Sequence, residues 1–170
     1  MLPEEQTQTT NIFESVAKQL KEQGFTIVAK DETRPWGGFF VLDENDAEKF
    51  IEQYFPGYSK EQLLIGNKLS PKILLVAPNK RLSWQYHFRR AEIWRVVSGK
   101  VAVATSFTDE ETQTDNYEPG QIIVLQKGQR HRLIGLDGWG SVAEIWQHTD
   151  INSPSDEDDI VRLQDDFGRN

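Results

Sequence analysis

From residue 69 to residue 147 the chain is written in short apolar runs, each stopped by glycine or by a cluster of turn residues. Lys72-Ile73-Leu74-Leu75-Val76-Ala77 ends at Pro78-Asn79-Lys80, and Ile93-Trp94-Arg95-Val96-Val97 ends at Ser98-Gly99. Runs this short hold a strand but not a helix. The pattern predicts strands over 72–77, 83–87, 92–97, 100–107, 121–125, 131–136 and 141–147, with 108–118 as a polar, acidic loop. Many short strands in succession bury their apolar faces only by closing into a sandwich or barrel. The expected fold is therefore mainly β, and no repeat of 20 to 50 residues suggests a solenoid.

The first third reads differently. Residues 1–9 are polar and are expected to fray. Thr10 or Asn11 caps a helix reaching to about Gln23, with Ile12, Phe13, Val16 and Leu20 on one stripe and Gly24 as the stop. A strand over 25–29 follows, then the turn Arg34-Pro35-Trp36-Gly37-Gly38 and a strand over 39–42. A second helix is expected over 46–54, closed by Pro56-Gly57, and Ser59 with Glu61-Gln62 starts a short helical turn. The division is an N-terminal extension (1–68) packed on a barrel (69–150), with a tail (151–170), in one domain.

Bulk properties remove several function classes. The 170 residues carry a formal net charge of −8, which argues against nucleic acid or an anionic membrane surface as partner. No apolar run approaches the length of a membrane span. The opening Met1-Leu2-Pro3-Glu4-Glu5 is no export signal, so a cytoplasmic location is expected. With no cysteine, thiolate metal sites and disulfides are excluded.

The chemistry concentrates in two stretches. Gln85 and His87 are two apart and share one strand face, and Glu92 opens the next apolar run. A chain turn between Phe88 and Ala91 brings that carboxylate over the first two groups. His131, after Gly128-Gln129-Arg130, supplies a second imidazole. Two imidazoles with carboxylate and amide oxygens suit a divalent transition metal. Cations crowd the same stretches: Lys80, Arg81, Arg89 and Arg90 in one, Lys127, Arg130 and Arg132 in the other. In an acidic chain, such clustering points to a small anion such as a sugar phosphate. His148, after Trp146-Gln147, reads as an exposed loop histidine. The acidic run Asp156-Glu157-Asp158-Asp159 reads, by composition, as a solvated tail.

Taken together, Leu82-Ser83-x-Gln85-x-His87, Arg90-Ala91-Glu92-x-Trp94, Val96-Val97-Ser98-Gly99 and Gly128-x-x-His131-Arg132-Leu133 resemble the paired motifs of the cupin superfamily, and within it the type II mannose-6-phosphate isomerases. Arg34-Pro35-Trp36-Gly37, Glu157-Asp158-Asp159-Ile160-Val161-Arg162 and Asp165-Asp166-Phe167-Gly168-Arg169 fit the same family. The resemblance implies a cupin double-stranded β-helix (jelly-roll) barrel. It implies one divalent ion on Gln85, His87, Glu92 and His131, zinc foremost, with manganese, iron, cobalt, nickel or magnesium as alternatives. The implied reaction is aldose–ketose isomerisation, mannose 6-phosphate to fructose 6-phosphate through an enediolate. Strand parity alone turns Arg89 inward, whereas the family match assigns Arg90 to stabilise developing negative charge. Glu144, on the last strand, is the candidate base, and Arg81, Arg132, Arg162 and Arg169 are candidates for the phosphate. The tail is then ordered beside the site, and a homodimer is expected, with residues 72–77 as the pairing strand.

The chain departs from the family at Phe88, Arg89 and Ile93, where histidines are frequent, and at Gln126-Lys127, where proline is usual. Those departures keep a second expectation open: a non-catalytic metal-containing cupin that binds a sugar or sugar phosphate. No phosphate-cradling glycine-rich loop is present, so guanylyltransferase activity is not expected.

Overall fold

A computed structural model describes residues 3–169. Helix α1 (Pro3–Glu22) leads into strands β1 (Ile27–Arg34) and β2 (Gly37–Leu42). A 3₁₀ turn (Glu44–Asp46), α2 (Ala47–Tyr54) and the short α3 (Lys60–Leu63) follow. The remaining strands are β3 (Lys72–Val76), β4 (Trp84–Tyr86), β5 (Arg90–Ser98), β6 (Val101–Ser106), β7 (Gln113–Tyr117), β8 (Ile122–Leu125), β9 (Arg130–Gly135), β10 (Gly140–His148) and β11 (Val161–Gln164). They form two antiparallel sheets, ordered β1-β2-β3-β10-β5-β8 and β11-β4-β9-β6-β7.

The period of two along each strand separates two cores. On β3, β5 and β10, residues Ile73, Leu75, Ile93, Ala143 and Ile145 join Phe13, Phe40, Phe50 and Phe55 on the helix-covered face of the six-stranded sheet. The alternate residues Leu74, Val76, Trp94, Val96 and Val142 join Val101, Val103, Leu125 and Leu133 between the sheets. Both faces of the six-stranded sheet are thus covered, and the N-terminal helices supply one of the covers.

Several expectations are corrected. The helix begins at Pro3 rather than Thr10. Proline is tolerated in a first turn, and Glu4 and Glu5 there favour the helix dipole. The hydroxyls of Thr7 and Thr9 donate back to the carbonyls of Pro3 and Glu5. Met1 and Leu2, part of the expected frayed end, lie outside the described residues. The strand expected over 25–29 begins at Ile27 and runs on to Arg34. The expected polar loop contains β7, an edge strand on β6, where polar side chains face water without penalty. Strand β3 lies between β2 and β10, so both its edges are paired and it is not open to a second copy of the chain. Ser59 makes the capping box that its sequence suggests. Gly37, at a φ of 144°, is held where a Cβ would lie 2.0 Å from the Leu75 carbonyl oxygen, which explains a glycine directly after Arg34-Pro35-Trp36.

Candidate functional site

Strand β5 starts at Arg90, and parity then places Arg90, Glu92, Trp94 and Val96 on the face between the sheets. This decides between Arg89 and Arg90, because the chain leaves strand geometry at His87 and re-enters at Arg90. Gln85 on β4 stands opposite His131 on β9 in antiparallel register. Side chains from both sheets therefore converge. His87 Nε2 lies 3.7 Å from Glu92 Oε2, and His131 Nε2 lies 3.6 Å from Glu92 Oε1. One ligand atom from each of the three lies within 4.8 Å of the others, and all three residues are buried.

Both imidazoles are oriented through Nδ1. His87 Nδ1 donates to the Asp159 carbonyl at 2.7 Å, and His131 Nδ1 donates to the Gln129 carbonyl at 3.0 Å. Nε2 of each ring faces Glu92, the arrangement that metal-ligating histidines use. The His131 lone pair is unpartnered, while that of His87 accepts from Arg90 Nη2 at 3.2 Å, a bond that an ion there would replace. His131 Nε2 and Glu92 Oε2 have no hydrogen-bond partner among the described residues. Buried lone pairs left this way cost about 1–3 kcal/mol each, and a cation satisfies them. Ligand atoms about 2.1 Å from one zinc-like ion lie roughly 3.4 Å apart. The two Glu92–histidine approaches of 3.6 and 3.7 Å, made by different carboxylate oxygens, are near that spacing, and a set that lies within 4.8 Å closes on an ion by small side-chain shifts. Gln85 faces the same cavity, its Oε1 accepting from Ser83 Oγ at 3.0 Å. The residues present fit a divalent ion.

Electrostatics agree with that fit. Burial pushes the His87 imidazole down to about 4, so the ring is neutral near pH 7. Burial pushes the Glu92 carboxyl up, but Arg90, followed by His87 and His131, holds it below the usual carboxylate range. Arg90 stacks on Trp146, its guanidinium carbon 3.6 Å from the ring centroid. Its Nη1 donates to Ser155 Oγ at 2.9 Å and to the Asp156 carbonyl at 3.0 Å, and Nη2 donates to His87 Nε2 at 3.2 Å. Glu144, buried on β10, accepts from Trp146 Nε1 at 2.8 Å. Burial, then the nearby Glu92 charge, pushes its carboxyl up to about 7, with Lys72 and Arg90 offsetting part of the rise.

Gln85, His87, Arg90, Glu92, Glu144 and Trp146 line one cavity of about 360 Å³, and His131 adjoins it through Glu92. Its cationic wall is Arg34, Lys72, Arg162 and Arg169, together with Arg90. Burial and then the Arg169 charge lower the Arg162 guanidinium, with Asp165 offsetting part of the change. Of the four arginines expected at the phosphate, Arg162 and Arg169 line the cavity and Arg81 and Arg132 do not. Arg81 is held bidentately by Asp166 at 2.6 and 2.9 Å, and Arg169, though it lines the cavity, is held in the same way by Asp165 at 2.7 and 3.0 Å. Arg132 is buried and spends its donors on the Leu82 carbonyl, Glu111 and Gln164. Parity explains Arg132: it alternates with His131 and so leaves the site.

Sequence reasoning missed Arg34 and Lys72 as cavity residues. Arg34 was visible in Arg34-Pro35-Trp36-Gly37, and Lys72 as a lone cation opening an apolar strand. Lys72 pairs in register with Glu144, lies 4.0 Å from the Trp146 ring centroid, and forms an ion pair with Glu157.

The compositional reading of the tail is overturned. Strand β11 adds to β4, with Arg162 opposite Gln85, and Glu157, Asp158 and Ile160 line the cavity. His148 is also corrected, from exposed to buried. Its Nδ1 accepts from the Ser155 amide at 3.0 Å, so Nε2 carries the proton and donates to Ser70 Oγ at 3.0 Å. Burial, then Lys68, Arg90 and Arg89, pushes its ring down to about 4.

The family described as mannose-6-phosphate isomerase C-terminal matches residues 43–165. The alginate biosynthesis protein AlgA of Pseudomonas aeruginosa is 32% identical over 127 residues, which is 74% of this chain and 24% of that protein. A mannose-1-phosphate guanylyltransferase of Salmonella montevideo is 29% identical over 95% of this chain and 29% of its own length. The chain thus spans about a quarter of these relatives. Among solved structures, the oxalate decarboxylase of Lactobacillus farciminis superposes with a TM-score of 0.54 at 12% identity, over 79% of this chain and 33% of that one, a likeness of fold alone.

Proposed function

We propose that this chain, which belongs to the mannose-6-phosphate isomerase C-terminal family, is a metal-dependent isomerase that interconverts an aldose phosphate and a ketose phosphate, with mannose 6-phosphate and fructose 6-phosphate as the pair. The observation that carries the reading is one cavity lined by three unlike groups: part of a metal-ligand set, a carboxyl poised near pH 7, and a cationic wall.

A divalent ion held by His87, Glu92, His131 and Gln85 supplies Lewis-acid polarisation of the sugar oxygens. Arg34, Arg162 and Arg169 take the phosphate, for which planar guanidinium donors are suited. Glu144, whose carboxyl burial pushes up from the ordinary carboxylate range, is the buried acid–base group placed to move a proton between C2 and C1 at neutral pH. Arg90 is fixed by Ser155, Asp156 and Trp146 before substrate arrives, so its donors meet negative charge on the sugar oxygens without reorganisation.

The test is incubation of metal-loaded protein with mannose 6-phosphate in deuterated water. Fructose 6-phosphate carrying deuterium at C1, and mannose 6-phosphate returned with deuterium at C2, are the expected result. Heat of binding without exchange assigns the chain to the non-catalytic binders instead.

A further inference from the structure

Residues 87–89 pass from one sheet to the other between β4 and β5, outside both strand ladders. Something else has to hold His87 in place there. The neighbouring barrel contributes two backbone bonds, Gly128 N to the His87 carbonyl at 3.1 Å and Thr149 N to the Arg89 carbonyl at 3.0 Å. The rest comes from the tail, and mostly from one residue. Asp159 is 4% exposed. Its Oδ1 accepts from Phe88 N and its Oδ2 from Arg89 N, both at 2.9 Å. Its main-chain carbonyl accepts from His87 Nδ1 at 2.7 Å. A single residue therefore grips three successive positions of the crossing. Ser155 extends the grip to the fourth: its Oγ donates to Asp159 Oδ2 at 2.6 Å and accepts from Arg90 Nη1 at 2.9 Å.

We propose that Asp159 is a positioning residue for the metal site: its carboxylate pins the tail to the Phe88 and Arg89 amides, so that its carbonyl fixes the orientation of His87 and, together with the Arg90 Nη2 donor on Nε2 that Ser155 ties to the same carboxylate, its tautomer. Ser155 couples the same clamp to Arg90. Asp159 touches neither substrate nor ion, and it acts through His87. The metal consequence rests on the function proposed above; the His87 tautomer does not. The acidic run at 156–159 thereby divides in two, with Glu157 and Asp158 facing the cavity and Asp159 turned into the barrel.

The test uses the three histidines of the full chain as their own controls. Long-range ¹⁵N–¹H correlation spectra of labelled protein at pH 8 distinguish an Nδ1–H ring from an Nε2–H ring. In the wild type, His87 and His131 are expected as Nδ1–H, and His148 as Nε2–H. Asp159→Ala is expected to mix the His87 tautomers while leaving His131 unchanged, since the Gln129 carbonyl holds that ring. Zinc and manganese affinity, titrated against a chelator, is expected to fall by about 10- to 100-fold in Asp159→Ala, the usual effect of losing a partner of a ligating histidine. Asp159→Asn keeps one carbonyl acceptor for the two amides and is expected to lie between the two proteins in both readouts. It decides the matter should the alanine variant fail to fold. A folded variant with His87 still wholly Nδ1–H overturns the proposal, whether or not metal binds. A wild type that binds neither ion, with the tautomer shift present, instead refutes the metal reading and leaves the clamp standing.

Discussion

Glu144 offers a stability measurement that tests the site without any substrate. The carboxyl has an ordinary value of 4.5 and is pushed up to about 7 in the fold. Between those two values the folded chain binds more protons than the unfolded one, so this group makes stability fall as pH rises. Its penalty is absent below about 4.5 and complete above about 7. A displacement of that size corresponds to roughly 3 kcal/mol at most. Part of it is repulsion from Glu92, which relaxes in concert, so about 2–3 kcal/mol is expected. Gln at this position cannot ionise, yet it keeps an oxygen to accept from Trp146 Nε1. Glu144→Gln is therefore expected to gain about 2–3 kcal/mol over the wild type on going from pH 4 to pH 8.5. The assay is urea unfolding followed by tryptophan fluorescence, on metal-free protein at both pH values. The contribution of His87 cancels to first order in the difference between the two proteins, and that of Glu92, which responds to the Glu144 charge, is already within the range given. A stability difference that stays flat with pH refutes the claim that Glu144 is buried in a site that favours its proton.

Three further outcomes follow from the same geometry. Metal at 100 times its dissociation constant is expected to stabilise the wild type by about 2.7 kcal/mol, and to leave the melting temperature of His131→Ala unmoved; parallel thermal melts check this. Arg162→Ala is expected to weaken mannose 6-phosphate binding by roughly 10- to 100-fold, the worth of a charged hydrogen bond, while binding of mannose itself is little changed; Arg81→Ala, outside the cavity, is expected to alter neither, as read by calorimetry. Lys72→Met removes a cation that lowers the Glu144 carboxyl, so the infrared C=O band of protonated Glu144 is expected to persist to higher pH than in the wild type.

What the sequence conveyed well was anything carried by period or spacing. The strands from 72 onward other than β7 and β11, the shared face of Gln85 and His87, and the pairing of Glu92 with a distant His131 all rest on two-residue alternation and on motifs that keep their spacing. What it conveyed poorly was long-range placement. Arg132 follows His131 directly and carries the right charge, but alternation turns it away, and its donors are absorbed by Leu82, Glu111 and Gln164. Arg34 is far from the cavity in the text and reaches it only because β2 lies against β3. His148 looked solvent-facing because a strand end usually is; the tail that covers it comes later in the chain. The acidic tail was the hardest case, since composition says solvent, and only the pairing of β11 with β4 brings it back.

Under the proposed function, the two inward carboxyls take opposite tasks in one cavity. Glu92 and Glu144 are both fully buried on adjacent strands, β5 and β10, so desolvation acts against the charge of each. Their neighbours separate them. Glu92 has Arg90 and two imidazoles around it, and these hold it as a carboxylate, the form a cation needs. Glu144 is repelled by that same Glu92 charge, and the cations on its side compensate only in part. Carboxyls driven apart in this way are how a fold places an ion ligand and a proton carrier side by side at neutral pH. Exchanging the environments would give a neutral Glu92, which holds no metal, and an ionised Glu144 that returns no proton. Under that proposal the site depends on where Arg90 lies, and Arg90 is held from the tail by Ser155 and the Asp156 carbonyl.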